Sequence, residues 1–131
     1  MTNPYLNQLG ATANADGEFE KLPKFKLTNV GDALQGVILR QSPWRDDQYK
    51  SDNKVRYIDI RRTVDAATNK TEDVLYIIAK FDEKKKIGDA LQAAGLADTE
   101  PGDIFGIKLI ELRPTTKGNP QKIHQVVIKR P

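Results

Sequence analysis

Apolar and polar positions along this chain fall into two regimes. Met1 to Leu22 is rich in Asn, Ala, Gly and Thr and holds no sustained period, the pattern of a flexible arm. Leu22 to Leu27 (LPKFKL) alternates enough for a short lead-in strand or an extended segment laid on the domain. After a turn at Gly31-Asp32 the signals become regular. Ala33 to Gln41 predicts a strand with Gly36 inside it, where a bulge or bend belongs. Ser42 to Lys54 reads as a polar loop. Val55 to Arg62 alternates cleanly, with Ile58 and Ile60 on one face and Tyr57, Asp59 and Arg61 on the other. Asp65 to Thr71 is a turn. Val74 to Phe81 predicts a third strand, with Leu75, Ile77, Ala79 and Phe81 on its more apolar face and Val74, Tyr76, Ile78 and Lys80 opposite.

The period then lengthens. Asp82 is an N-cap candidate, and Ile87, Ala90, Leu91 and Ala94 share one helical face. Gly95 stands where a left-handed C-terminal cap belongs. After the turn Thr99 to Asp103, Ile104 to Leu112 predicts a strand with an internal Gly106. Arg113 to Gln121 is a loop, and Lys122 to Lys129 a closing strand.

The order β-β-β-α-β-β predicts an all-β barrel with one helix, the five-stranded Greek-key barrel of the OB-fold, over residues 23–131. A ferredoxin-like sandwich needs a helix after strand one, where this chain has Pro43 in a polar loop. An SH3-like barrel lacks the helix.

Length and composition set the remaining bounds. A chain of 131 residues with 38% hydrophobic and 30% charged residues predicts one soluble domain. No apolar run approaches the ~20 residues of a membrane span, and no signal-peptide pattern opens the chain. The absence of cysteine excludes disulfides and thiol chemistry and fits the cytoplasm. A single histidine, His124, excludes a histidine-rich metal site; on a strand it reads as structural.

The net charge of +3 is unevenly spread. Residues 33–62 carry seven Lys/Arg against four Asp/Glu, and residues 104–131 six against one; residues 82–103 carry three against six. In an OB-fold the loops after strands one and four flank the face of strands two and three, so both basic blocks are expected on one groove. Trp44 and Tyr49 interleave with Arg45 and Lys50 in the first loop, and Tyr57 and Tyr76 are expected on the non-core side of strands two and three. Aromatics for bases and cations for phosphates are what single-stranded nucleic acid requires. The expected contact set is Trp44, Arg45, Tyr49, Lys50, Lys54, Arg56, Tyr57, Arg61, Tyr76, Lys80, Lys108, Arg113, Lys117 and Lys122. No base-reading code is visible, so weak sequence preference is expected.

Each feature has a plainer reading. Trp44 could plug the open end of a barrel, Tyr57 and Tyr76 could cover their own sheet, and Arg61 and Lys80 could simply solvate it. Lys84, Lys85 and Lys86 could meet phosphate, or form a solvated helix face. Catalysis finds little support. Asp46, Asp47 and Asp52 lie in one loop rather than on rigid elements with Asp59, Ser42 and Thr115 lack a base, and no glycine-rich phosphate loop is present. No enzyme activity, metal or cofactor is expected.

The runs Val30 to Ile38 (VGDALQGVI), Ile87 to Leu96 (IGDALQAAGL) and Glu100 to Asp103 (EPGD) resemble the small OB-fold single-stranded DNA-binding proteins of tailed phages, particularly those of actinobacteria. The resemblance covers about residues 28–130. It implies a replication or recombination accessory that coats transient single strands in the host cytoplasm. Bacterial proteins of this function finish in an acidic tail that recruits partners. Here the last residues, Ile128 to Pro131, are basic, so recruitment by that route is not expected. RNA binding is a variant of this expectation. The competing one is a protein-interaction or virion-assembly module, and pairing into a homo-oligomer through strand Ala33–Gln41 or the N-terminal arm is compatible with either.

Overall fold

A computed structural model describes residues 22–47 and 50–131, with the side chains of 50–52 left aside. The strands are β1 (Ala33–Gln41), β2 (Arg45–Asp47), β3 (Lys50–Asp65), β4 (Lys70–Ile78), β5 (Ile104–Arg113) and β6 (Gln121–Lys129). The helix α1 (Phe81–Ala94) separates β4 from β5. The strands form one antiparallel sheet in the order β2-β3-β1-β5-β6, with β4 on β3. No pairing joins β4 to β6 among the described residues, so the sheet is open.

One face of this sheet is the core. Leu34, Ile38, Ile58, Ile60, Phe105, Ile107, Leu109 and Ile128 are buried there, and Ile87 and Leu91 of α1 close over them. Burying each such side chain contributes roughly 1.5–3 kcal/mol before chain entropy is set against it. Gly36 permits the tightest approach, because a Cβ there would lie 2.2 Å from the Arg61 carbonyl oxygen of β3. The irregularity of β1 follows it, between Ile38 and Arg40. Gly106 has ordinary room for a Cβ, and the irregularity of β5 lies between Leu109 and Glu111 instead. Gly95 ends α1 at φ 72°, its amide donating to the Gln92 carbonyl at 3.1 Å.

Three expectations need correction. The segment Ser42–Lys54 is not a loop throughout: β2 pairs with the start of β3, Arg45 opposite Val55 and Asp46 opposite Lys54. Its residues are polar on both sides, so they give no alternating apolar signal. Second, the core face of β4 is Val74, Tyr76 and Ile78, each at most 3% exposed. Leu75, on the other side, is equally buried, and the lead-in segment pairs along the β4 edge beside it. The Phe25 amide donates to the Leu75 carbonyl and the Leu75 amide to the Pro23 carbonyl, both at 2.8 Å. Because β4 is apolar on both sides, its run carries no sign of which face points inward. Third, Phe81 opens α1 and is 77% exposed, and Lys80 rather than Asp82 is the N-cap. The Glu83 carboxylate accepts the backbone amides of Lys80 (2.9 Å) and Ala79 (3.3 Å).

Candidate nucleic-acid interface

The corner between β1 and β2 is fixed by Arg56. Its side chain is buried and donates to the Ser42 carbonyl (2.9 Å), to both Asp98 oxygens (2.9 and 3.1 Å) and to Thr99 Oγ1 (3.4 Å). Its guanidinium also lies 5.1 Å from the centre of the Trp44 ring. The Tyr57 amide donates to Ser42 Oγ at 3.0 Å, completing the corner. Because successive strand residues face opposite ways, Tyr57 stands on the outer side of the sheet, where Arg45 stacks over its ring at 3.9 Å. Trp44, on the Arg56 side and 39% exposed, also has Lys84 Nζ 5.9 Å from its ring centre. Lys84 in turn donates to Asn53 Oδ1 at 2.6 Å. Trp44 and Tyr57 therefore do not share one surface.

From the Arg45–Tyr57 pair a shallow groove runs across β4. Its first part, about 400 Å³, is lined by Lys24, Arg45, Asp46, Asp47, Val55, Tyr57, Ile77 and Ala79. Lys24, Ile77 and Ala79 also border a second part of about 320 Å³, which takes in Lys26, Lys80 and Lys122. Lys80 and Lys122 pass into a third part, lined by Phe81, Leu112, Asn119 and Pro120. The overlapping linings make one track from the β2–β3 hairpin to the β5–β6 turn.

The acidic groups along this track are largely engaged. Asp46 pairs with Lys54, and Asp47 accepts Asn53 Nδ2 at 3.3 Å. Glu83 binds the Tyr76 hydroxyl as well as the two backbone amides. Burial, reinforced by the Glu83 charge, pushes the Tyr76 hydroxyl far above its ordinary range, so it stays a neutral donor in the groove wall. His124 is buried behind it, with Nδ1 3.0 Å from Asp82 Oδ2 and its amide donating to the same oxygen at 2.7 Å. Burial alone would raise the Asp82 carboxyl, but the His124 amide and ring, with Lys86, outweigh it and hold the group below its usual range.

Comparison of the chain with protein-family models, with curated proteins and with solved structures finds no match. Geometry alone carries the site.

Of the expected contact residues, Arg45, Tyr57, Lys80 and Lys122 line the track on its open side. Lys122 also donates to the Leu27 carbonyl at 2.8 Å. Tyr76 belongs to the core and offers no stacking face. Arg56 is structural and Lys54 is paired with Asp46. Arg61 is held by Asp73 (2.8 and 3.1 Å) and Arg113 by Glu111 (3.3 and 3.2 Å), which raises both guanidinium pKa values further. Lys108 is exposed on the outer face of β5 beside Gln125 and Ala33, away from the track. Lys117 is exposed in the β5–β6 turn beside Gly118, whose φ of 100° suits a glycine. Tyr49 and the side chain of Lys50 lie outside the described residues.

Sequence reading missed Lys24, Lys26 and Phe81. The alternation Lys24-Phe25-Lys26-Leu27 carried the signal for the lysines, since Leu27 is buried, Phe25 packs against the core and both lysines are exposed. No group of three or more His, Asp or Glu suited to a metal ion occurs among the described residues, and no helix there is long and apolar enough to cross a membrane.

Proposed function

We propose that this chain binds single-stranded DNA without catalysis and with little sequence preference, along the track from Tyr57 to the β5–β6 turn. The observation that carries the reading is the Arg45–Tyr57 stack at the head of a groove bordered by Lys24, Lys26, Lys80 and Lys122. The Arg45–Tyr57 pair sets an aromatic ring and a cation together where an unpaired base and its phosphate would arrive, and the lysines are spaced along the path the following phosphates would take. We read the sheet as a partly open OB-type barrel. The pairings β1–β3, β3–β4, β1–β5 and β5–β6 are those of a five-stranded Greek key, β2 prolongs its first hairpin, and the lead-in segment covers the edge of β4. In this reading the protein protects transient single strands during replication or recombination in the cytoplasm, the setting its resemblance to the phage proteins implies. Self-association along the strand is compatible with it.

Titration of a fluorescently labelled oligo-dT, read by anisotropy at low and moderate salt, tests the proposal. Binding that weakens with salt by a log–log slope of about −0.7 per phosphate contacted is expected. No binding at low salt overturns it. Competition with duplex DNA and RNA separates the single-strand reading from its variants. A protein-interaction or virion-assembly module is the second reading, favoured by one observation: Lys54, Arg56, Arg61 and Arg113 each already hold a carboxylate.

A further inference from the structure

Resting on that reading, we infer that Phe81 and Leu112 form a second base-stacking station at the far end of the track, with Phe81 as its platform. An aromatic ring at the first position of a helix gains little from 77% exposure, and nothing in the fold of the described residues requires it there. Leu112, 39% exposed, and Pro120 line the same recess, which has a volume of about 560 Å³. Lys80 and Lys122 border it, and both also border the part of the groove that leads back to Tyr57. An apolar, aromatic floor between two lysines fits a base with its flanking phosphates. Asp82 also lines the recess, but its carboxylate accepts the His124 amide and pairs with Lys86, so its charge is largely compensated there. Phe81 is four residues beyond Ile77, the cross-strand partner of Tyr57. The chain between them spans at most ~14 Å, so one continuous strand can reach both stations. A ligand engaging both occupies on the order of four or more nucleotides, the lower end for one OB domain.

The test is Phe81→Ala in the full chain, measured against oligo-dT of 4 and 15 nucleotides beside Tyr57→Ala and the wild type. Phe81 is exposed, so the variant should fold, and an unchanged thermal midpoint verifies this. The expected result is affinity for the 15-mer reduced about tenfold by either substitution, with Phe81→Trp restoring it and showing quenching of the new indole by the oligonucleotide. Wild-type affinity in Phe81→Ala, while Tyr57→Ala is impaired, overturns the second station and leaves the groove reading standing. Unchanged affinity together with loss of self-association in sedimentation assigns the recess to a second copy of the chain, and also overturns it. If the wild type binds no oligonucleotide at low salt, both the station and the reading it rests on fall.

Discussion

The cations on the strand bodies and those around the groove are in different electrical situations. Arg40, Arg56, Arg61, Arg62 and Arg113 each meet a carboxylate, mostly across a strand pair. Arg61 stands directly opposite Asp73 and Arg62 opposite Glu72. Lys24, Lys26 and Lys80 are exposed and make no ion pair among the described residues. A sequence tally assigns the first group to the two basic blocks and these lysines to segments outside them. The availability of a charge is therefore decided by register, which brings residues far apart in the chain into contact, rather than by local density.

Four variants press on this contrast. The largest effect is expected from Arg56→Ala, which removes a buried guanidinium and the donors that hold Ser42 and Asp98. Urea denaturation should show a loss of about 2–4 kcal/mol, with a shifted Trp44 emission. A loss below about 0.5 kcal/mol would return Arg56 to the set of surface charges. Tyr57→Ala comes next, lowering oligo-dT affinity by about 1–3 kcal/mol. Unfolding and binding should separate here, since the ring lies outside the core. For the double change Lys24→Ala with Lys80→Ala, the salt dependence is the informative quantity. Its log–log slope should flatten by about 1.4, two phosphate contacts' worth. Arg61→Ala should do least, leaving affinity and stability close to wild type, because an exposed pair with Asp73 is worth little and the guanidinium is not on the track. A binding loss as large as that of Tyr57→Ala would erase the distinction between the two groups of cations.

Much of the fold was legible in periodicity. The alternation of Val55 to Arg62 placed Ile58 and Ile60 inside, where they are fully buried, and the helical face of Ile87 and Leu91 packs as expected. Gly95 ends the helix as its position implied. The hairpin of β2 was hidden because neither of its sides is buried, so pairing rests on backbone hydrogen bonds that leave no side-chain pattern. Tyr76 was assigned to the wrong face because β4 is apolar on both sides. The site was legible only in part. Arg45, Tyr57, Lys80 and Lys122 line the track, but Trp44 was separated from Tyr57 by a single-residue alternation at the β1–β2 corner. Arg56 was drawn inward by Asp98, which lies 42 residues away.

The segment before Thr28 has a consequence beyond lining a groove. By pairing with Leu75 it occupies hydrogen-bonding positions on the β4 edge that would otherwise be open to any extended chain. The edge is satisfied by a short stretch of the same polypeptide rather than by another strand of the sheet. The same positions on a neighbouring molecule are equally good partners for it. Exchange of this stretch between molecules would link copies end to end without new contacts having to evolve, and its loss would leave a strand edge ready to recruit others.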